Sequence, residues 1–330
     1  MLKYMMVFMM VFMNLEAKPL PIFKTGQTQS YSADGNTIVT DDSIKDDGYY
    51  QTGARQRYTR DDNTEIVTDE ITRLEWQDDA TVSDDTNQTE WEDAVIQCTN
   101  IRVGGHDDWR LPSREELESI VNRGKSDPAI SSDFVNIAPS HYWSSTSAAS
   151  SSHRAWNVNF DHGYSTEDSF NGANSYVRCV RGEQFDNLNF SRDNIREIVI
   201  DSATNLQWQD NREANTTEKT WTGAIEYCEA LSMAGQTDWR LPNQNELLSI
   251  VDISRHSPVS NVAFINVASF DYWSSSTTIG ETSHAWGIDF DEGESYYYVR
   301  LSSNSNYVRC VRGGQLNSNF NPAIIMYLLN

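Results

Sequence analysis

Few residues in this chain are placed to do chemistry, and most come in matched pairs. His153 and His284 each stand just ahead of a tryptophan-bearing stretch, Ala155-Trp156-Asn157-Val158-Asn159-Phe160 and Ala285-Trp286-Gly287-Ile288-Asp289-Phe290. An imidazole there could serve as a base, but no serine or cysteine nucleophile signature accompanies it, so a hydrogen-bonded structural histidine is the simpler reading. Arg110 and Glu116 are spaced as an active-site pair could be, and equally as a scaffolding Arg–Glu lock, the commoner use. Carboxylates gather around two glycine turns, Asp161-His162-Gly163 with Glu167 and Asp168, and Asp289-Phe290-Asp291-Glu292-Gly293-Glu294. Calcium takes six to eight oxygens, which makes Asp161, Asp168, Asp289, Asp291 and Glu292 its candidate ligands. Neither run has the spacing of a known calcium loop, and an acidic chain puts carboxylates in its turns regardless. No phosphate loop or metallohydrolase motif occurs, and no cofactor other than that cation is expected.

The four cysteines have the clearest chemistry. Cys98 and Cys179 occupy the same places in one half of the chain as Cys228 and Cys310 in the other, which predicts two disulfides, Cys98 with Cys179 and Cys228 with Cys310. Each would close a loop of about 80 residues and contribute on the order of 4 kcal/mol through chain entropy. A zinc site is the competing use, but no CxxC and no histidine at ligand spacing accompany them.

These residues sit in a duplication. Trp109-Arg110-Leu111-Pro112 followed by Glu116-Leu117 returns as Trp239-Arg240-Leu241-Pro242 followed by Glu246-Leu247. Trp76, Trp91, Tyr142, Trp143, Trp156 and Phe160 return as Trp208, Trp221, Tyr272, Trp273, Trp286 and Phe290. The period is about 130 residues, the size of a domain rather than of a solenoid repeat. Ten Trp, fifteen Tyr and twelve Phe supply each copy with a core. The formal charge of −23 excludes general affinity for nucleic acid or anionic membranes, which would be repelled before specific contact formed.

In order, residues 1–17 read as a secretory signal: Lys3, an apolar run of about a dozen residues and a small residue at Ala17. That run is too short to cross a bilayer, so no transmembrane span is expected. Residues 18–57 form a polar leader, read as surface-wrapping or partly disordered. The first domain covers 58–183, a linker 184–191, the second domain 192–314 and a tail 315–330. Each domain should open on a β-hairpin with an Asp-containing turn. A helix bearing Trp91 and Cys98 follows, with Thr89 and Glu92 as a capping box that Gly223 would weaken in the second copy. A second helix follows WRLP, capped by Ser113 with Glu116 or Asn243 with Glu246. Three alternating strands, at Tyr142, Trp156 and Tyr176 and at their second-copy counterparts, should form one antiparallel sheet.

WRLP with its glutamate, Tyr142-Trp143-Ser144-Ser145, the tryptophan strand and Val177-Arg178-Cys179-Val180-Arg181-Gly182 together resemble the C-terminal domain of the Legionella collagen-like adhesin, a family of bacterial exported and surface proteins. The match covers about residues 60–182 and 192–313. More distantly, the chain is similar to formylglycine-generating-enzyme-like domains and the C-type-lectin-like fold, where a helix-to-last-strand disulfide is characteristic. The resemblance implies an α+β fold of two tandem C-type-lectin-like domains and adhesion, in the family to sulfated glycans, which the charge of this chain disfavours. The enzyme's reaction does not carry over, because it needs two adjacent reactive cysteines. The calcium-dependent EPN and WND sugar motifs are also missing.

Between the tryptophan strand and the last strand the copies diverge most, and these segments are rich in Tyr, Ser, Asn and Gly, as binding loops are. Tyr164, Asn171 and Asn174 in the first copy and Tyr296, Tyr297, Tyr298 and Asn304 in the second are the candidate ligand-binding residues. The expectation is a secreted, periplasmic or surface-attached protein, not an enzyme, binding a glycan or cell-surface protein. The alternative is a secreted hydrolase or modifying enzyme using His153 or His284. The tail, Asn319 to Leu329, lines up with the entry to the second copy and is expected to pack on that domain.

Overall fold

In a computed structural model the chain forms two copies of one α+β unit, with the leader laid against them. The structure describes residues 19–32, 34–170, 172–185, 189–299 and 304–314. Residues 1–17, expected to be a secretory signal, Asn171 and the tail 315–330, expected to pack on the second domain, lie outside these.

In the first copy, β1 (Tyr58–Asp61), β2 (Ile66–Asp69) and β3 (Glu75–Gln77) make an antiparallel meander. Its turns are set by aspartates: the Asp61 carboxylate accepts from Asn63 N at 2.9 Å, and that of Asp69 from Ile71 N at 2.8 Å. Helix α1 (Trp91–Asn100) turns Ala94 and Cys98 into the core. Helix α2 (Arg114–Ser119) follows WRLP and carries the predicted capping box. A second meander, β4 (His141–Ser147), β5 (Arg154–Asn159) and β6 (Tyr164–Ser169), comes next, and β7 (Val180–Arg181) closes the copy.

The second copy repeats this with β8 (Phe190–Asp193), β9 (Ile198–Asp201), β10 (Leu206–Gln209), α3 (Trp221–Glu229), α4 (Gln244–Ser249), β11 (Asp271–Thr277), β12 (His284–Asp289), β13 (Ser295–Val299) and β14 (Val311–Gly313). Both disulfides are formed, Cys98 to Cys179 and Cys228 to Cys310. Each ties the first helix to the residue just ahead of the last strand. Trp143 packs in the cluster of the first disulfide and Trp273 in that of the second, and Trp76, Trp156, Trp208 and Trp286 are buried as well.

Two local expectations change. The last strand does not complete the tryptophan sheet; it pairs with β3, or β14 with β10, so each copy holds two sheets. The chain crosses between them at Tyr176, which bridges Tyr142 in parallel before Val180 reaches Trp76. The helix caps are also exchanged. The helix starts one residue later than the box requires, so Glu90 rather than Thr89 precedes α1, and its carboxylate accepts from Gly172 N at 3.1 Å instead of capping, whereas Thr220 caps α3 by accepting from Gly223 N at 3.3 Å.

The leader carries its own short strands, Ser30–Tyr31 and Ile38–Val39, and a helical turn, Asp47–Tyr50. It lies mostly on the second copy. Thr277 N donates to Gln27 Oε1 at 2.7 Å, Ser276 Oγ to Asp47 Oδ2 at 2.7 Å, and Thr52 Oγ1 to Glu246 Oε1 at 3.0 Å. The leader also touches the first copy, where Gly26 packs against Asn122 and Gly124 and Gln56 Nε2 donates to Ser119 O and Val121 O. A polar segment without apolar periodicity is thus held by hydrogen bonds to buried groups, which offset its ordering entropy.

Candidate functional site

The WRLP lock is built from the backbone outward. Arg110 N and O exchange hydrogen bonds with Val180, fixing WRLP to the closing strand. Its guanidinium then makes a two-pronged pair with Glu116, both arms at 2.6 Å, while Ser113 N donates to the same carboxylate at 2.9 Å. Arg240 and Glu246 repeat the pair at the same distances. Every carboxylate oxygen is thereby occupied, in a geometry that stabilises a helix start rather than presenting a group for proton transfer.

A second lock was not foreseen. Arg178 is fully buried and donates to Asp78 Oδ1 at 3.1 Å, to Gln77 O at 2.7 Å and to Asn136 O at 2.5 Å. Arg60 holds the other oxygen of Asp78 at 2.7 Å. Arg309, Asp210 and Arg192 are their counterparts, with 3.1 Å and 2.6 Å for the two ion pairs. The signal was present, since each residue recurs at its place in both copies, but nothing local marks an arginine just ahead of a strand as buried.

The candidate ligand-binding residues fall in two environments. β6 and β13, the strands that begin the divergent segments, face each other across the seam between the copies. Ser165 N donates to Ser295 Oγ at 2.8 Å, and Glu167 N donates to Glu294 Oε1 at 3.0 Å. Ser165 and Ser295 are equivalent positions, so the copies meet about a local pseudo-two-fold axis. Tyr164, at the start of β6, shares a hydrogen bond with His141 Nε2 at 3.1 Å. Tyr297 turns into this seam, stacking on His162 of the first copy and edge-on to Trp286.

Tyr296 and Tyr298 point to the other face of β13, 6.3 Å apart between centroids. Tyr296 is 38% exposed. The Tyr298 hydroxyl donates to Asp271 Oδ1 at 2.6 Å; burial first, and that carboxylate second, push its pKa up. In the first copy an aromatic pair sits nearby in the fold, Trp91 stacked on Phe170 at 4.5 Å, with exposed Asn174 following. Trp91 and Phe170 were not among the candidates, because Trp91 fits the apolar stripe of its helix. Asn304 is exposed, and Asn171 lies outside the described residues.

The acidic turns do not converge. Among the described residues no three His, Cys, Asp or Glu side chains form a group that could hold a metal ion. The Asp161 carboxylate pairs with His162, that of Asp168 accepts from Ser169 N, and that of Asp289 from Asp291 N at 2.7 Å, with burial raising the Asp289 pKa. Asp291 and Glu292 are half-buried in the following turn. His153 and His284 each have Nδ1 hydrogen-bonded to the preceding serine hydroxyl, at 3.1 and 3.2 Å.

The fold and its locks define a tandem pair of disulfide-closed α+β modules. The chain belongs to the Lcl C-terminal domain family, whose model matches residues 65–181 and 197–312. No curated protein matches it. Membership in this adhesin-related family, with both cysteine pairs bonded, fits a binding protein of an extracellular or periplasmic compartment. Among the described residues no helix is long and apolar enough to cross a membrane.

Proposed function

We propose that this is an exported, non-enzymatic recognition protein whose two C-type-lectin-like domains bind a glycan or a cell-surface protein. One observation carries the reading. Both copies keep the same locks, disulfide and buried tryptophans, while the edge ahead of the closing strand differs, with Phe170, stacked on the shared helix tryptophan Trp91, and Asn174 in one and Tyr296, Tyr298 and Asn304 in the other. Aromatic faces flanked by small polar side chains supply contact area at low entropic cost together with adaptable hydrogen bonds. The lectin-like assignment draws support from the helix-to-last-strand disulfide and from the pairing of the first meander with the closing strand. Secretion through the residue 1–17 signal is part of the same reading.

A glycan array probed with and without calcium tests it, alongside binding to intact cell surfaces. Saturable binding that drops about tenfold in Tyr296→Ala supports recognition by this edge. Calcium dependence would bring in Asp161, Asp168, Asp289, Asp291 or Glu292 as ligands. An array and cell assay without any binding, together with turnover of a substrate lost in His153→Ala or His284→Ala, would replace this reading with a secreted hydrolase or modifying enzyme.

A further inference from the structure

Away from that outer edge, the two copies line a half-open cavity of about 330 Å³. Helix α2 of the first copy forms one wall and α4 of the second the other, while Leu20–Phe23 of the leader and Gln184–Phe185 of the connection complete it. Equivalent positions on the two helices have diverged: Arg114 and Glu118 stand where the second copy has Gln244 and Leu248. The cavity is therefore charged on the first-copy side; the second-copy side presents Leu248 and Val251 beside polar Asn245 and Ser249, and Ile22 and Phe185 extend the apolar surface.

Arg114 is the unusual member. It is 2% exposed, and among the described residues it forms no ion pair. Its Nε and one terminal nitrogen reach Ser165 Oγ at 3.3 and 3.1 Å, and that same Nη2 reaches Gly293 O of the second copy at 3.1 Å. The guanidinium lies over the Trp156 ring at 4.4 Å. Among the described residues nothing accepts from its Nη1. Of the neighbouring acids, Glu116 is paired with Arg110 and Glu118 with Arg123 through one oxygen at 2.5 Å, while exposed Glu115 and the other oxygen of Glu118 have no partner among the described residues. A buried guanidinium ordinarily has a carboxylate or phosphate on its fork. Nor does the scaffold require a charge here, since neutral Gln244 occupies the equivalent position and donates to Gly287 O at 3.3 Å.

We propose that the cavity binds a small monocarboxylic acid with an apolar body, its carboxylate on Arg114 and its hydrocarbon against Leu248, Val251, Ile22 and Phe185. The guanidinium fork suits a carboxylate, and the apolar wall supplies the area that makes binding of a small ligand worthwhile. Glu115 and Glu118 on the same lining select against a second negative charge on the ligand. The site exists only in the tandem arrangement, because each copy contributes one wall.

The test uses the full chain, titrated with hexanoate and phenylacetate and, as neutral controls, hexanamide and hexanol. Calorimetry and tryptophan fluorescence, which Trp156 beneath Arg114 makes sensitive, follow binding. Both acids are expected to saturate, with the neutral compounds at least tenfold weaker. Arg114→Gln, which installs the second copy's residue, should lose acid binding at least tenfold. Leu248→Trp should lose it by filling the apolar side. Absence of saturation, equal affinity for acid and alcohol, or unchanged binding in Arg114→Gln would overturn the proposal and leave Arg114 as a clamp between the copies. Should Arg114→Gln fail to fold, acid binding that survives Leu248→Trp overturns it equally.

Discussion

Asp47 offers the most direct test of how the leader is held. Its carboxylate is 2% exposed and accepts from Ser276 Oγ at 2.7 Å and from the Thr25 hydroxyl, without a cation in ion-pair contact among the described residues. Burial pushes its pKa from 3.8 up to about 7; the two hydroxyls oppose the rise, and the charges of Glu246 and Asp46 add to it. The folded pKa lies above the unfolded one. The folded state therefore binds the proton more tightly, and the associated stability is full below pH 3.8 and lost as pH rises to about 7. At about 1.4 kcal/mol per pH unit, that loss is on the order of 4 kcal/mol. Asp47→Asn removes the ionisation and weakens the two hydroxyl contacts, at about 1 kcal/mol each. The variant should be the less stable protein at pH 4 and the more stable at pH 8, by roughly 2 kcal/mol in each direction. Thermal melts from pH 4 to 8, with limited proteolysis of the leader as a local readout, should show the two curves crossing. Other buried carboxylates titrate in both proteins, so only the difference between the curves is diagnostic. Parallel curves would refute the burial argument.

Further outcomes are expected. Peptide mapping without reductant should recover Cys98 joined to Cys179 and Cys228 to Cys310, and Cys98→Ser with Cys179→Ser should destabilise the first copy by about 2–5 kcal/mol in denaturant melts. Arg178→Ala removes one of the two arginines on buried Asp78 and should cost about 3 kcal/mol, the lower end for a broken buried pair because Arg60 remains, with Arg309→Ala doing the same to Asp210 in the second copy. Exposed Arg73, paired to Glu70 at 3.0 Å, serves as the contrast: Arg73→Ala should change stability by less than about 1 kcal/mol.

Much of each domain was legible because its determinants are local or recur. The aspartate turns, the Ser113 and Asn243 capping boxes and the cysteine pairs are short-range or duplicated signals. Thr89 shows the limit: three residues ahead of Glu92 it reads as a cap, but its backbone pairs with Ser175, far along the chain, and the helix starts only after Glu90. The sheet switch of the last strand was equally hidden, because strand alternation specifies a face and not a partner. Of the candidate site residues, Tyr297 reads as a binding-loop tyrosine but turns into the seam, since an interface between copies leaves no periodic mark in either. The same interface buries Arg114, whose contact with Gly293 lies 179 residues away along the chain. The leader docks by hydrogen bonds at residue separations that no window along the sequence captures.

The leader also orders events in time. Gln27 and its partner Thr277 are 250 residues apart, so during vectorial emergence from a ribosome or export channel the first copy can close while the leader still lacks its binding surface. Contacts this distant form late, because loop closure is unfavourable until the remote surface exists. Docking of the leader then registers that the second copy has arrived intact, much as a seal registers a closed lid. Chains released at successive lengths and pulsed with protease should show leader protection only once they extend past residue 277 and the strands around it; protection in shorter chains would mean that the leader folds on its own.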